Sequence, residues 1–348
     1  MRMASGPVLI GIPGLELDAE SRDLLAHPSV GGVVLFSRNF SDQEQLCSLV
    51  ADIHAACEPR PLVCIDQEGG RVQRLTGEGF TRLPPLGALG RLNRDDPVKA
   101  LDMAYRHGRV MAMEMLACGI DLSFAPVLDL DRGSRVIGDR SFSPQPEVVV
   151  QLGRSYLAGM RDAGMKATGK HFPGHGSVVA DSHVDDVTDD RPLSAILEND
   201  LVPFAQLMPA LDALMIAHVV YPQVDPAPAG YSQKWLKDIL RKQLGYRGVV
   251  FSDDLGMHAA KAAGGVRARA EGCLQAGCDL VLVCHPEDVE QLFESGPVQF
   301  PDATESLSRL YGKATVGREQ IADVKREGIR EWEHWRLSLE RISQQDWS

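Results

Sequence analysis

Short apolar runs rich in Val, Ile and Leu recur along the chain, and longer amphipathic stretches separate them. Residues 7–12, 32–36, 61–65, 121–125, 165–170, 213–217, 248–252 and 279–283 show no regular alternation of polar and apolar positions. Strands buried on both faces read this way, because neither side of their sheet meets water. Helical periodicity fills the intervals, over 41–57, 97–118, 146–163, 193–208, 232–244, 266–276 and 286–293, with Ser41 as a candidate N-cap for the first. Eight strands alternating with helical stretches in about 290 residues predict an α/β fold, a single (β/α)8 barrel of the TIM kind, whose usual size is roughly 250 residues. A doubly wound open sheet is the second choice. It calls for a Gly-rich phosphate turn after an early strand, and Gly11-Ile12-Pro13-Gly14 is not one.

The expected division is a catalytic barrel over 1–300 and a helical, charged extension over 301–348. The extension carries Trp332, Trp335 and Trp347 and is expected to pack on the outside of the barrel. Packing is the plainer role for these tryptophans, and a partner surface is the alternative.

Composition narrows the class. At 44% hydrophobic and 24% charged residues, the 348-residue chain is an ordinary globular protein with enough apolar side chain for a large core. Its net charge of -12 argues against general nucleic-acid binding, which needs a basic face. No apolar run approaches the roughly 18 residues that would span a bilayer, so no membrane partner is expected. The first fourteen residues read as a first strand, not as a signal peptide. The seven cysteines are odd in number and form no C-x-x-C pair. Free thiols in a reducing cytoplasm are the expected state.

Polar residues gather where the predicted strands end, which in a barrel is where chemistry sits. The third strand ends in Asp66-Gln67-Glu68-Gly69-Gly70-Arg71-Val72-Gln73-Arg74. Asp129 to Arg140 follows the fourth, closing on Gly138-Asp139-Arg140-Ser141-Phe142. The fifth ends in Lys170-His171-Phe172-Pro173-Gly174-His175-Gly176, with Asp181-Ser182-His183 just beyond. His218 ends the sixth, and Ser252-Asp253-Asp254-Leu255-Gly256-Met257 the seventh. Convergence at five strand ends outweighs any one motif.

Together these segments resemble the family 3 glycoside hydrolases, and closely the single-domain bacterial β-N-acetylglucosaminidases (β-hexosaminidases) of that family. The similarity runs from about Gly11 to Val283. The resemblance implies a retaining, exo-acting glycosidase. In it Asp253 is the nucleophile, His183 the acid/base and Asp181 the carboxylate that orients the His183 ring. Asp66, Arg74, Arg140, Lys170 and His171 would hold the sugar hydroxyls. Adjacent strand residues point to opposite faces, so only one of Asp253 and Asp254 is expected to face the substrate. Glu68 is read as a supporting residue paired to Arg71, His218 as a pocket-floor or core histidine, and His175 as the anchor of a bend made by Gly174 and Gly176.

The resemblance further implies cytoplasmic peptidoglycan recycling. The substrate would be N-acetylglucosamine linked β-1,4 to 1,6-anhydro-N-acetylmuramic acid, with or without peptide. No cofactor and no metal are expected. The small sugar or muropeptide is the only partner implied, and a monomer is favoured.

Three rivals stand beside this. His171, His175, His183 and Asp181 are suitable zinc or iron ligands, but Pro173 and Gly174 break the helix that would align the first two. A non-catalytic sugar-binding barrel would keep Asp66 and Arg74 without needing Asp253 and His183. Phosphate in place of water as acceptor is the third, since a histidine repels it less than a carboxylate does.

Overall fold

The computed structural model describes residues 5–178, 187–257, 260, 264–294, 298–315 and 329–344. Eight parallel strands form one sheet. They are β1 (Val8–Gly11), β2 (Val30–Leu35), β3 (Leu62–Ile65), β4 (Leu122–Ser123), β5 (Thr168–Phe172), β6 (Ala213–Ile216), β7 (Val249–Asp254) and β8 (Leu280–Val283). The sheet runs β4-β3-β2-β1-β8-β7-β6-β5. The ends meet where the chain beyond β4 bridges β5, Val127 pairing with Lys170 and the Leu128 N–H donating to the Lys170 carbonyl at 2.7 Å. The predicted barrel is what the chain forms. Regular pairing in β4 covers only Leu122–Ser123, because Pro126 has no N–H to give to a ladder.

The apolar runs divide by alternation, as a closed sheet requires. Leu9, Val34, Leu62, Cys64, Leu122, Phe124, Met215, Phe251 and Leu280 make one buried cluster inside, with the Phe124 and Phe251 rings edge to face at 5.3 Å. Their neighbours Val8, Ile10, Val33, Val63, Leu214 and Val250 belong to the larger cluster beneath the helices.

Helix boundaries follow local chemistry. The helix Gln43–Ala55 is capped by Asp42, whose side chain accepts the Gln45 N–H, so Ser41 is not the N-cap. Pro97 and Pro146 open Pro97–Ala117 and Pro146–Ala163, where a missing N–H costs nothing. The predicted helix over 193–208 is two, Leu193–Glu198 and Leu201–Leu207. Helices Ala19–Ala26 and Leu86–Asp95, and a hairpin pairing Gln67–Gly69 with Val72–Gln73, are additions to the predicted set.

The segment after residue 300 does two things. Ala303, Leu307 and Leu310 enter the interior cluster of the barrel itself, tied by the Ala303 N–H to the Ser5 carbonyl and by the Tyr311 hydroxyl to the Arg60 carbonyl. Further on, helix Ile329–Gln344 lies against Pro97–Ala117. Trp335, Leu339 and Ile342 are buried there, with the Arg109 guanidinium 5.0 Å from the Trp335 ring centre. Trp347 lies outside the described residues. All seven cysteines are free thiols. Among the described residues, no helix is long and apolar enough to cross a membrane.

Candidate active site

A cavity of about 340 Å³ opens at the C-terminal ends of the strands. Asp66, Arg74, Arg140, Lys170, His171 and Asp253 all line it, so six site residues proposed from the sequence meet in one place. His183 and Asp181 lie outside the described residues. A larger cavity, about 1030 Å³, separates the loop after the hairpin from helix Ile329–Gln344 and contains none of these residues.

The floor is a charge network carried by β3, β5 and the loop after β4. Lys170 is 2% exposed, and its ammonium lies 2.6 Å from Asp66 Oδ1 and 2.5 Å from Glu68 Oε1. Arg140 grips Glu68 with both arms, Nε to Oε2 and Nη2 to Oε1, each at 2.8 Å. Arg74 Nη2 reaches Asp66 Oδ2 at 3.3 Å. Glu68 is therefore paired to Arg140 and Lys170; Arg71 instead donates to the Val136 carbonyl and stands 3.7 Å from Asp139. Burial opposes ionisation throughout this floor. It is outweighed at Glu68 by Arg140 and Lys170, which hold the carboxyl well below its usual range, and at Asp66 by Lys170 and Arg74. Burial likewise opposes the Lys170 charge, but Asp66 and Glu68 raise its pKa on balance. Asp66, Glu68, Lys170 and Arg140 are each driven toward the charged form by their neighbours.

Asp129, in a stretch that the sequence reading quoted without giving it a role, organises the next layer. Its Oδ2 accepts from the His171 N–H at 3.1 Å and lies 2.6 Å from His171 Nδ1; its Oδ1 accepts the His175 N–H at 2.7 Å. A carboxylate on Nδ1 leaves Nε2 of His171 toward the cavity and 3.5 Å from Arg140 Nη2. The only signal in the sequence was its place just after a strand. Gly174 has φ +133°, and a side chain on Gly176 would collide with the Leu130 carbonyl. The bend is therefore as tight as the two glycines imply, with the His175 backbone as its anchor and its ring on the cavity wall.

Two irregularities place adjacent side chains on one wall. Register shifts between Lys170 and Phe172 against β6, and between Phe251 and Asp254 against β8. Both members of Lys170–His171 and of Asp253–Asp254 then line the cavity. Strict alternation, expected to turn one aspartate away, fails here. The two aspartates differ in their partners instead. Asp254 Oδ1 accepts the Gly256 and Cys284 N–H groups at 3.0 and 3.1 Å, and burial raises its pKa. Asp253 accepts the Asp254 N–H on Oδ1 at 2.8 Å, which leaves Oδ2 without a partner among the described residues. His218 is buried and does not line the cavity; it stacks on Tyr231 at 5.9 Å. Among the described residues, no group of three His, Cys, Asp or Glu side chains is placed to hold a metal ion.

A carboxylate at the end of β7 that shares one cavity with Asp66, Lys170 and Arg140 is the kind of arrangement a glycoside hydrolase uses. The chain matches the glycosyl hydrolase family 3 N-terminal domain over residues 7–312. It is 52% identical over 323 residues to a β-hexosaminidase of Stenotrophomonas maltophilia, covering 92% of this chain and 96% of that one. It superimposes on native NagZ from Neisseria gonorrhoeae with a TM-score of 0.90 at 42% identity, covering 99% of each chain. The same relative in complex with N-trifluoroacetyl-D-glucosamine matches equally well. The chain belongs to glycosyl hydrolase family 3, within its β-hexosaminidase group.

Proposed function

We propose that the enzyme is a retaining, exo-acting β-N-acetylglucosaminidase whose substrate is N-acetylglucosamine linked β-1,4 to 1,6-anhydro-N-acetylmuramic acid, with or without peptide, in cytoplasmic peptidoglycan recycling. The observation that carries this reading is Asp253, which lines the same cavity as Lys170 and Asp66 and has one oxygen held by the Asp254 N–H and the other without a partner among the described residues. A relative's complex with an N-acylated glucosamine supports the choice of sugar.

Asp66 spends one acceptor site per oxygen on Lys170 and Arg74, which leaves sites for two sugar hydroxyls. Lys170, Arg74 and Arg140 supply donors from the same floor, and His171 presents Nε2 beside them. With the ring so held, Asp253 attacks the anomeric carbon. The bond to the leaving oxygen breaks as His183, its ring oriented by Asp181, delivers a proton to that oxygen. Neutral His183 then takes a proton from water, the water oxygen bonds to the anomeric carbon, and the Asp253 carboxylate is released. Two displacements return the β anomer.

The test is hydrolysis of aryl β-N-acetylglucosaminide and aryl β-glucoside, with the first-formed anomer read by NMR. The expected result is preference for the acetamido sugar and a β product; an α product refutes the double displacement. Asp253→Ala should abolish turnover with the fold intact. A 2-fluoro or 5-fluoro glycoside should label Asp253, and labelling elsewhere refutes its role. His183→Ala should slow poor leaving groups most, and a uniform loss across leaving groups would count against proton donation.

A further inference from the structure

We infer that Arg135 is a specificity residue for the leaving group, binding a carboxylate carried on the part of the substrate beyond the scissile bond. This rests on the glycosidase reading above and adds to it a recognition site outside the sugar floor.

Charge pairing sets Arg135 apart. Five guanidinium and ammonium groups line the cavity. Lys170 and Arg140 are spent on Asp66 and Glu68, Arg74 on Asp66, and Arg71 on the Val136 carbonyl and Asp139. Arg135 alone has no carboxylate or carbonyl at its guanidinium among the described residues. On a chain of net charge -12, a cation at a cavity mouth with no partner among the described residues attracts an anion that those residues do not supply.

Position says which part of the substrate it meets. The groups that would hold the terminal sugar are deep, with Lys170 2% and His171 6% exposed. Arg135 is exposed at the rim. An exo-acting enzyme seats the terminal sugar at the closed end, so whatever reaches the rim is the leaving group. The proton donor must lie on that same side. The strand-five loop that leads to His183 passes through Gly176, whose carbonyl accepts the Arg132 and Ser134 N–H groups at 3.3 and 3.1 Å. Arg135 thus sits on a turn fastened to the base of that loop.

The turn is also rigid, which a recognition residue requires if its charge is to be aimed. Ser134, Val136 and Ile137 around it are buried. The Val136 carbonyl is held by both Arg71 and Arg140, and the Ser134 hydroxyl caps the Ile137 N–H.

The experiment compares three substrates of the full-length enzyme: the aryl β-N-acetylglucosaminide as reference, N-acetylglucosaminyl-β-1,4-anhydro-N-acetylmuramic acid, and the methyl ester of that acid, of nearly the same shape without the charge. The wild type should favour acid over ester, and the preference should shrink as salt is raised, because the site is exposed. Arg135→Ala should lower the acid-to-ester ratio of kcat/KM about twofold to fivefold, the scale of an exposed ion pair, chiefly through KM. Arg135→Glu should invert the preference, and Arg135→Lys should restore part of it. Equal handling of acid and ester by the wild type, or a parallel loss on both in the variants, overturns the proposal. No turnover of the aryl reference by the wild type would remove the glycosidase reading itself.

Discussion

Glu68 and Glu114 are buried alike, 2% and 3% exposed, yet their carboxyl groups are driven in opposite directions. Glu68, in the active-site floor, faces a bidentate Arg140 and the Lys170 ammonium. Burial disfavours its charge, but the two cations outweigh burial and hold it well below the usual carboxylate range. Glu114, on helix Pro97–Ala117, takes the N–H and hydroxyl of Thr81, while the nearby charges of Arg336 and Glu340 act in opposition. Burial dominates there and pushes its pKa up to about 7. The lesson is that depth sets the cost of a charge and neighbours decide whether the charge survives. The floor keeps its ions because Lys170, Arg140 and Arg74 stand within ion-pair distance of its two carboxylates. The helix contact has no such need, and its carboxyl is half protonated near neutrality.

Removing Glu68 should have the largest effect. Glu68→Gln leaves Lys170 and Arg140 buried with one carboxylate fewer, and breaking a buried pair costs about 3–5 kcal/mol. Urea unfolding at pH 7 should show that loss, together with weaker binding of N-acetylglucosamine. A change below about 1 kcal/mol would mean that the network contributes position without stability.

Glu114 should instead shape the pH dependence. A carboxyl whose folded pKa is raised binds extra protons in the native state, so its contribution falls as pH rises from the ordinary carboxylate value, about 4.5, to about 7. The loss is on the order of 3 kcal/mol by pH 8. Glu114→Gln should flatten that slope between pH 5 and 8. Glu68 works with the opposite sign: its depressed pKa gives stability that is present above the unfolded value and is lost as pH falls below it. Unfolding free energies at pH 3, 5, 6.5 and 8 for both variants separate the two behaviours, and parallel curves would erase the contrast.

The smallest effect is expected at Asp254. Asn in its place keeps an oxygen for the Gly256 and Cys284 N–H groups, so Asp254→Asn should lower kcat by about tenfold or less, against about a thousandfold or more for Asp253→Asn. Equal losses would mean that the two aspartates act as one unit.

How far the sequence could be read differs between these residues. That Asp66, Arg74, Arg140, Lys170, His171 and Asp253 lie near one another could be read from the sequence, because strand ends show in the apolar pattern and a barrel brings those ends together; the roles given to them came from the family resemblance. Glu68 was visible but assigned to Arg71, its neighbour in sequence, whereas its partners stand at positions 140 and 170. Asp129 carried no local mark, since its work is to join the His171 and His175 backbones after folding. The plug formed by Ala303, Leu307 and Leu310 was read as exterior helix, because a short apolar spacing looks the same inside a barrel as on its flank.

By itself, then, the sequence determined the strand-and-helix alternation, the barrel, and the set of polar residues that meet at its mouth. Those are local properties, written in runs and spacings of adjacent side chains. Only the tertiary structure decided which charge pairs with which, which adjacent residues share a wall, and which arginine is left over. Ion pairing depends on distances between residues far apart in the chain. Register shifts in β5 and β7 arise from pairing with neighbouring strands. Arg135, without a partner among the described residues, is a remainder, visible only once every other cation of the cavity has found its partner.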